Sequence, residues 1–427
     1  MRSIPRRAVL SALAATAFVA VLIVPSATAR TDAGATPQAT TTITFWQTMN
    51  DEETKTLKSL IASFQKANKT IKVNMVYVPF DQAQAKYATA AQGGKAPDVM
   101  RAEIAWIADY AARGFLADLT KNISAADRND FLGSAFAYGV WQNKSYAVPQ
   151  VTDAPALLYN KALFKSKGVG VPNSMASLEA ACKKFGDGKG IFLRGDAYFV
   201  QPWIWAYGGG LVNPLKKEIL IASKNSINGM TAYKRLFDSS CAFKNEDFAN
   251  DYNNAQTAFK NGDVAMIENG PWATADVLSG KAFANKSNLG VAPLPKGPGG
   301  QGSPVGGHSF VIAKKSKKVA ASYKLIQFLT KASSQASFAS KNNLLPTRRS
   351  AYQNSAVKSN PIISAFLQQM LVARARPVLP EGGAIYTDFT PNVQKVLLGQ
   401  STPAQGMNAV ALAWKTKLFR TYTIKKN

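Results

Sequence analysis

Few residues in this chain could do covalent chemistry. Its single histidine, His308, lies between Gly307 and Ser309, and no G-x-S-x-G sequence is present to hold a nucleophilic serine on a sharp turn. The two cysteines, Cys182 and Cys241, do not have the spacing of metal ligands, and CxxC, HExxH and EF-hand patterns are missing. The sequence therefore predicts no serine-hydrolase triad, no metal site and no cofactor.

One nucleotide-binding pattern occurs and is rejected. Gly297-x-Gly299-x-x-Gly302 formally matches the dinucleotide fingerprint. Pro298 interrupts it, no long strand precedes it, and Ser303-Pro304 follows where a helix should begin and hold the pyrophosphate. We therefore predict no dinucleotide site here.

The remaining candidates are typical of ligand binding. Aromatic side chains lie near single carboxylates and guanidinium groups, often beside glycine or proline. A pyranose offers apolar faces that stack on aromatic rings and hydroxyls that polar groups can bind, so the combination favours a sugar. These candidates are Trp46, Asp51, Arg101, Glu103, Asp153, Tyr198, Trp272 and Tyr386. Four other tryptophans are assigned to the core: Trp141, Trp203, Trp205 and Trp414.

Length and composition indicate a folded protein with two or three domains. The chain has 427 residues, of which 46% are hydrophobic and 10% aromatic. That is enough to form more than one core, and it excludes intrinsic disorder.

The amino terminus has the pattern of an export signal. Arg2, Arg6 and Arg7 precede an apolar stretch at residues 8–24, and Ala27-Thr28-Ala29 follows as a small-residue cleavage site. We predict a signal peptide at residues 1–29 and a linker at residues 30–41, with an uncleaved anchor as the alternative. No cysteine lies near the cleavage site for lipid attachment, so the prediction is an exported protein, periplasmic or at the cell surface.

The chain is strongly basic, with 51 Lys+Arg against 25 Asp+Glu and a net charge of +26. The densest run is Lys314, Lys315, Lys317 and Lys318, and the remaining charge is dispersed. Nucleic-acid proteins usually cluster such charge with stacking aromatics on one face, so we predict no nucleic-acid binding. The charge instead favours solubility or loose attraction to an anionic cell surface.

In an exported protein Cys182 and Cys241 could form a disulfide, and two buried thiols are the alternative.

Apolar periodicity predicts an α/β fold. Residues 42–46 and 71–77 alternate as strands, and Leu57, Leu60, Ile61 and Phe64 form one helical face between them. A second helix, a short strand at 99–100 and a helix at 105–113 follow. This order favours a sheet with parallel members. The sequence also predicts a helix at residues 177–185, a strand at 264–267 and a loop or crossover at 293–307. Three further helices are predicted at 362–370, 392–398 and 404–414.

An ordered set of motifs resembles the extracellular solute-binding proteins of carbohydrate ABC transporters, close to the maltose/maltodextrin/trehalose-binding type. The resemblance covers most of the chain after residue 41, and the phrase from Ala258 to Trp272 is nearly a family signature. The motifs are Ile43-Thr-Phe-Trp46, Ala96-Pro-Asp-Val-Met-Arg-Ala-Glu103 with Trp106, Tyr146-Ala-Val-Pro149 through Leu158-Tyr-Asn-Lys161, Ala197-Tyr-Phe199 before Gly208-Gly209, Ala258-Phe-Lys-Asn-Gly262, Asn269-Gly-Pro-Trp272, Gly306-Gly307 and Pro380-Glu-Gly-Gly383.

The resemblance implies a two-lobed periplasmic-binding-protein fold of type II. Its discontinuous lobes would be joined by a three-segment hinge, with a sugar held in the cleft. Lobe one would comprise residues 42–152 and 308–358, and lobe two residues 156–304 and 361–427. The hinge segments would lie near 153–155, 305–307 and 359–360.

The resemblance also implies roles for single residues. Trp272 matches a stacking tryptophan, Tyr198 a cleft aromatic and Asp153 a hinge-side carboxylate. Asp51 matches a first-loop carboxylate, and Arg101 with Glu103 matches the cluster after the Pro-Asp pair. Tyr386 stands where relatives have a tryptophan, and Gln84 where some have an acid, so these two departures leave the preferred sugar open.

The implied function is capture of maltose, maltodextrin or a related oligosaccharide and its delivery to membrane permease subunits, by a monomer that is not an enzyme. Trehalose, another oligosaccharide and glycerol-3-phosphate stay open as ligands, the last because of Arg101. A secreted glycosidase, with Glu103 and Asp153 as its acid/base pair, is the distant alternative.

Overall fold

The computed structural model describes residues 39–426. The expected signal peptide and most of the expected linker lie outside the described residues. The first strand begins at Thr41, the last residue of that linker.

Fifteen strands are present in the described part of the chain, several of only two residues. In chain order they are β1 Thr41–Gln47, β2 Ile71–Tyr77, β3 Val99–Glu103, β4 Val140–Trp141, β5 Lys144–Ser145, β6 Ala147–Asp153, β7 Ala156–Asn160, β8 Ile191–Phe192, β9 Val212–Asn213, β10 Glu218–Ile219, β11 Met266–Asn269, β12 Leu289–Ala292, β13 Gly306–Ile312, β14 Leu345–Pro346 and β15 Thr423–Ile424.

Seventeen α-helices accompany them between residues 39 and 426. They are α1 Asp51–Ala67, α2 Phe80–Gln92, α3 Ile107–Ala112, α4 Ala125–Asp130, α5 Gly133–Ala137, α6 Lys161–Lys167, α7 Met175–Phe185, α8 Ala197–Ala206, α9 Lys224–Asp238, α10 Asp251–Asn261, α11 Pro271–Val277, α12 Val319–Thr330, α13 Ala332–Asn342, α14 Ser355–Lys358, α15 Pro361–Val372, α16 Ile385–Leu397 and α17 Pro403–Lys417. Short 3-10 helices lie at Ile104–Trp106, Lys281–Phe283, Lys286–Asn288 and Ser350–Gln353.

A six-stranded sheet in the order β14-β6-β13-β3-β1-β2 forms the first layer. Strand β1 runs parallel to β2 and β3, and β13 runs antiparallel to its neighbours β3 and β6. Its two faces are covered differently. Ile43 and Phe45 face a core shared with Leu57 and Phe64 of α1, and Met100 and Ala102 face a core shared with Tyr87 of α2. Helices therefore cover both faces, as expected for a sheet with parallel strands.

A second, four-stranded sheet has the order β12-β7-β11-β8. Strand β7 pairs antiparallel with β12 and β11, and β11 pairs parallel with β8. A large core lies against it, in which Trp203 of α8 and Trp414 of α17 are fully buried. These two tryptophans were assigned to the core from sequence, and Trp205 is buried as well. Trp141 is only partly buried against the first sheet's core.

Several elements differ from the sequence expectations in their bounds. Strand β3 extends to Glu103 rather than ending at residue 100, because its partner β13 continues the ladder to that point. The expected helix at 105–113 begins as a 3-10 turn at Ile104. The aromatic-rich stretch after residue 196 is α8, capped by Asp196. Helix α16 begins at Ile385, seven residues before the expected start, which places Tyr386 in its first turn.

The structure joins Cys182 of α7 to Cys241, with their Cα atoms 5.6 Å apart. This is the first of the two interpretations that the sequence allowed. The bridge ties α7 to the segment that follows α9, and both cysteines are buried.

Within the described residues, no helix has the length and apolar character that crossing a membrane requires.

Candidate functional site

Charged side chains gather where strands of the first sheet end. Arg101 and Glu103 lie at the carboxyl end of β3, and Asp153 lies at that of β6. Strand β13 runs between them, so that His308 pairs with Glu103 and Gly306 with Asp153. Ligand sites in α/β sheets form at the carboxyl ends of parallel strands, and β3 and β6 both run antiparallel to β13. This end of the sheet is therefore the candidate site.

Arg101 is held by polar partners although only 3% of it is exposed. Its Nε donates to Gln150 Oε1 at 2.7 Å, and Nη1 donates to Thr48 Oγ1 at 3.2 Å. Nη2 lies 3.8 Å from a carboxylate oxygen of Glu53, in the first turn of α1. Burial raises the pKa of Glu53, and Arg101 opposes that rise. The other Glu53 oxygen is buried without a hydrogen-bond partner in the described chain.

Glu103 forms a buried ion pair with Arg376, which follows α15. The second Glu103 oxygen accepts from the backbone N–H of Ala105 at 2.9 Å. Arg376 also donates from Nε to the carbonyl of Val305 at 2.9 Å, and its backbone N–H donates to Tyr138 Oη at 2.8 Å. Because one partner comes from β3 and the other from the chain after α15, the pair joins the first sheet to that later segment.

Asp153 is buried beside like charge. Burial is the largest cause that raises the pKa of this carboxyl to about 7, and the negative charge of Glu103 raises it further. A Cβ atom at Gly306 would lie 2.1 Å from an Asp153 oxygen and 2.7 Å from Tyr198 Oη, so only glycine allows both side chains to approach. A carboxyl with a pKa near neutrality can donate as well as accept a hydrogen bond, which suits a hydroxyl-bearing ligand.

Tyr198 and Tyr386 stand together beside these charges. Their ring centroids are 6.2 Å apart in an edge-to-face arrangement, and the Arg376 guanidinium lies 5.5 Å from the Tyr198 ring centroid. Gln201, one turn further along α8, donates from Nε2 to Tyr386 Oη at 2.6 Å. Its Oε1 is buried without a partner in the described residues. Helices α8 and α16 thus present two aromatic rings and one amide on the same side.

Gln84 of α2 contacts the segment before α16. A Cβ atom at Gly383 would lie 2.5 Å from Gln84 Nε2 and 2.9 Å from Trp106 Cδ1. The Trp106 ring centroid is in turn 5.2 Å from that of Phe80, whose side chain is half-exposed. This contact places the Gly382-Gly383 turn against Phe80 and Trp106, which belong to the part of the chain that forms the first sheet.

Trp272 lies at the start of α11 and reaches the first-sheet half. Its carbonyl accepts from Asn50 Nδ2 at 3.0 Å, and its partly buried ring packs against the core of the first sheet. The ring folds over Gly270, where a Cβ atom would lie 1.9 Å from it. Asn50 caps α1, and the first turn of that helix also carries Glu53, which lies beside Arg101. Trp272 is therefore linked to Arg101 and its partners through the start of α1.

Two of the candidates are not brought into this group. Strand alternation places Trp46, which pairs with Met100, on the opposite face of the sheet from Arg101. The Trp46 ring packs toward α2, where the ammonium of Lys86 lies 5.2 Å from its centroid. Asp51 is exposed in the first turn of α1. Trp46 and Asp51 are close to each other in sequence, which suggested them as an aromatic and a carboxylate of the site. In the structure, Trp46 points to the face of the first sheet opposite Arg101.

Sequence reasoning missed several residues of the site, among them Glu53, Gln201, Arg376 and His308. Arg376 has no local motif, since its only signal is an arginine four residues before Pro380-Glu-Gly-Gly383. His308 was noticed only as the sole histidine. Burial together with the charges of Arg101 and Arg376 lowers its pKa well below the usual value, so the ring is neutral near pH 7. Both ring nitrogens are buried without a partner in the described chain, which leaves one donor and one acceptor.

The comparison with solved structures gives a close fold match. The GacH receptor of Streptomyces glaucescens GLA.O, solved without ligand and in complex with acarbose and an acarbose homologue, is 38% identical to this chain with a TM-score of 0.86. The match covers 90% of this chain and 100% of the receptor. The expected two-lobed α/β fold of type II is thereby confirmed.

Curated proteins are also similar to this chain in sequence, at lower identity. A maltooligosaccharide ABC transporter solute-binding lipoprotein of Streptococcus pneumoniae is 26% identical, over 76% of this chain and 77% of its own length. A galactooligosaccharide-binding protein of Bacillus subtilis is 22% identical, over 84% of this chain and 86% of its own length.

A family model described as bacterial extracellular solute-binding protein matches residues 59–365. That span includes the six-stranded sheet except β1 and the whole four-stranded sheet, and it contains Arg101, Glu103, Asp153, Tyr198 and Trp272. The chain belongs to the family of bacterial extracellular solute-binding proteins.

Proposed function

We propose that this protein is the sugar-capturing component of an ABC importer and binds a maltodextrin or a closely related oligosaccharide, such as acarbose. The observation that supports it is the group of buried polar side chains flanked by aromatic rings. Arg101, Glu103, Asp153 and His308 lie on one side, and Tyr198 with Tyr386 on the other. Hydroxyl rims and apolar faces of a pyranose need both kinds of partner.

The ligand class is supported by relatives. The receptor that is 38% identical forms a complex with acarbose, and the S. pneumoniae relative is a maltooligosaccharide protein. The galactooligosaccharide-binding relative keeps other oligosaccharides within the range to be tested.

Capture would proceed by closure of two lobes on the sugar. We assign residues 42–152 and 308–358 to lobe one, residues 156–304 and 361–427 to lobe two, and hinge segments near 153–155, 305–307 and 359–360. The division is supported by the sheets, since β1, β2, β3, β6 and β14 lie in lobe one and the second sheet in lobe two. A sugar that contacts both lobes favours the closed state because only closure satisfies both of its faces.

The protein would act as an exported monomer that hydrolyses nothing. Both Glu103 oxygens are engaged, by Arg376 and by the N–H of Ala105, so Glu103 is poorly placed to act as a glycosidase acid. The closed form would dock on permease subunits of the importer. Incubation with maltotriose followed by chromatography should show no cleavage, and released glucose or maltose would overturn this assignment.

A thermal-shift screen tests the ligand class. The probes are maltose, maltotriose, acarbose, trehalose, sucrose, cellobiose, a galactooligosaccharide and glycerol-3-phosphate. A ligand at about one hundred times its Kd adds about 2.7 kcal/mol of stability, so a clear rise in Tm is expected with maltotriose or acarbose. The proposal would be contradicted if Tm rises with glycerol-3-phosphate alone, or if no sugar raises Tm.

A further inference from the structure

The end of the first sheet opposite the candidate site is strongly basic. Four segments meet there: residues 66–72 between α1 and β2, 93–98 before β3, 113–118 after α3, and 313–318 after β13. They contain nine basic and two acidic residues. We call these four segments the basic end. The sequence alone indicates only one dense basic run, at 314–318. The other three segments are distant from it along the chain, so only the fold shows that their charges lie at the same end of the sheet.

Backbone and side-chain contacts join three of these segments, those at 93–98, 113–118 and 313–318. The N–H of Ala313 donates to the carbonyl of Asp98 at 3.2 Å, and that of Lys314 donates to the carbonyl of Phe115 at 2.8 Å. The Lys315 side chain lies over Gly94, where a Cβ atom would be 3.2 Å from its Nζ. Lys95, Lys314, Lys315 and Lys317 are all exposed on the surface that results.

The acidic residues of the basic end do not neutralise these lysines. The Asp98 carboxylate accepts from Lys318 Nζ at 3.0 Å, from Ser316 Oγ at 2.6 Å and from the N–H of Thr44 at 2.9 Å. Asp118 lies 3.5 Å from Lys144. Within residues 39–426 no ion-pair partner is found for the lysines that remain, which are Lys66, Lys69, Lys72, Lys95, Lys314, Lys315 and Lys317.

The chain also enters the fold at this end. The N–H of Thr41 donates to the carbonyl of Thr70 at 2.8 Å, so β1 begins beside the loop at 67–70. Arg101, Glu103 and Asp153 lie at the other ends of their strands.

We propose that the basic end docks the protein on an anionic phospholipid surface. Each lysine near an anionic leaflet adds about 1 kcal/mol of attraction, which is about a fivefold gain in partitioning, and the attraction falls off over a Debye length of about 10 Å. The match with a bilayer rests on opposite charge, since seven lysines of the basic end have no ion-pair partner within residues 39–426. It is independent of which sugar the protein binds.

Vesicle sedimentation tests the proposal with two variants of equal charge. The purified protein is mixed with phosphatidylcholine vesicles, with or without about one-third phosphatidylglycerol, at about 0.05 M and about 0.15 M salt. One variant changes Lys95, Lys314, Lys315 and Lys317 to Gln. The matched control changes Lys165, Lys167, Lys216 and Lys281 to Gln, which are exposed lysines outside the basic end.

We expect binding only to vesicles that contain phosphatidylglycerol, weaker at the higher salt. The basic-end variant should lose at least about tenfold in partitioning, while the control keeps most of it. Equal losses in the two variants would show that net charge alone is responsible and would overturn the proposal. So would failure of the unmodified protein to bind anionic vesicles at low salt, including the case in which it binds a purified anionic wall polymer instead. Unchanged melting temperatures of both variants confirm that they are folded.

Discussion

At the level of single residues, the site concentrates charge that is costly to bury and therefore must be paired. Arg101 and Arg376 are opposed by Glu53, Glu103 and Asp153, all of them buried. The ion pair between Glu103 and Arg376 satisfies one carboxylate, whereas a Glu53 oxygen lacks a hydrogen-bond partner in the described residues. Such groups are expensive unless a partner satisfies them, and sugar hydroxyls supply both donors and acceptors.

Trp272 should act as a stacking surface for the sugar. Trp272→Ala is expected to weaken sugar binding by about 1 to 3 kcal/mol, because the ring's contact with a pyranose face is lost. Trp46→Ala is the matched control, since Trp46 packs toward α2 on the other face of the sheet. Calorimetric titration of both variants measures the difference. Equal affinity of Trp272→Ala and the unmodified protein would return this ring to a purely structural role.

Asp153 should make stability depend on pH. With the pKa raised to about 7, the folded protein keeps a proton that the unfolded chain loses near pH 4. Its contribution is therefore present at low pH, and the free energy of unfolding falls by up to about 4 kcal/mol as pH rises from about 4 to 7.

Asp153→Asn should remove this contribution, while Asp187→Asn, at an exposed position, should keep it. Denaturant unfolding across this pH range provides the measurement. Parallel pH profiles for Asp153→Asn and the unmodified protein would show that Asp153 titrates as an ordinary carboxyl.

At the level of elements, glycines allow close approach where strands and turns meet the site. Gly307 adopts a φ of 135° with its Cα beside the Val151 carbonyl, where a Cβ atom would lie 2.3 Å away. Gly383 brings the turn before α16 onto Gln84 and Trp106. Side chains at these positions would separate the segments that form the site.

Gly383→Ala should weaken sugar binding while leaving the fold intact. The added methyl group would lie 2.5 Å from Gln84 Nε2 and 2.9 Å from Trp106 Cδ1, so either these side chains shift or the turn moves away from α2, and both loosen the contact between Gly383 and α2. Gly170→Ala is the control, because nothing lies within 4 Å of its Cβ position. A several-fold loss of affinity confined to Gly383→Ala is expected in titrations. An affinity equal to that of the control would exclude a role for this contact in binding.

Much of this element order is predictable from sequence because local patterns determine it. Alternating residues at 71–77 and the apolar face from Leu57 to Phe64 correspond to β2 and α1. The start of α16 is not predictable in this way, because its first turn follows a glycine pair and has no side-chain cap. Likewise the partnership of Arg376 with Glu103 depends on the approach of segments 273 residues apart. Local periodicity gives no information on such distant contacts.

For the molecule as a whole, the disulfide is expected to contribute to stability rather than to binding. It closes a loop over a sequence separation of 59 residues, for which loop entropy predicts about 4 kcal/mol. Paired Cys182→Ser and Cys241→Ser substitutions should lower the free energy of unfolding by up to that amount. Sugar affinity should not change, because the bridge lies between α7 and the end of α9. A large loss of affinity in a variant that is still folded would contradict this separation.

Isothermal titration calorimetry of the purified protein with maltotriose and with acarbose tests the central claim most directly. If the protein captures an oligosaccharide between its two lobes, at least one of these sugars should bind one molecule per chain with a Kd of about 10 µM or tighter, as for a ligand held on both faces. Glycerol-3-phosphate should give no saturable heat. The absence of saturable binding to either sugar by a folded protein, or binding of glycerol-3-phosphate alone, would contradict the account.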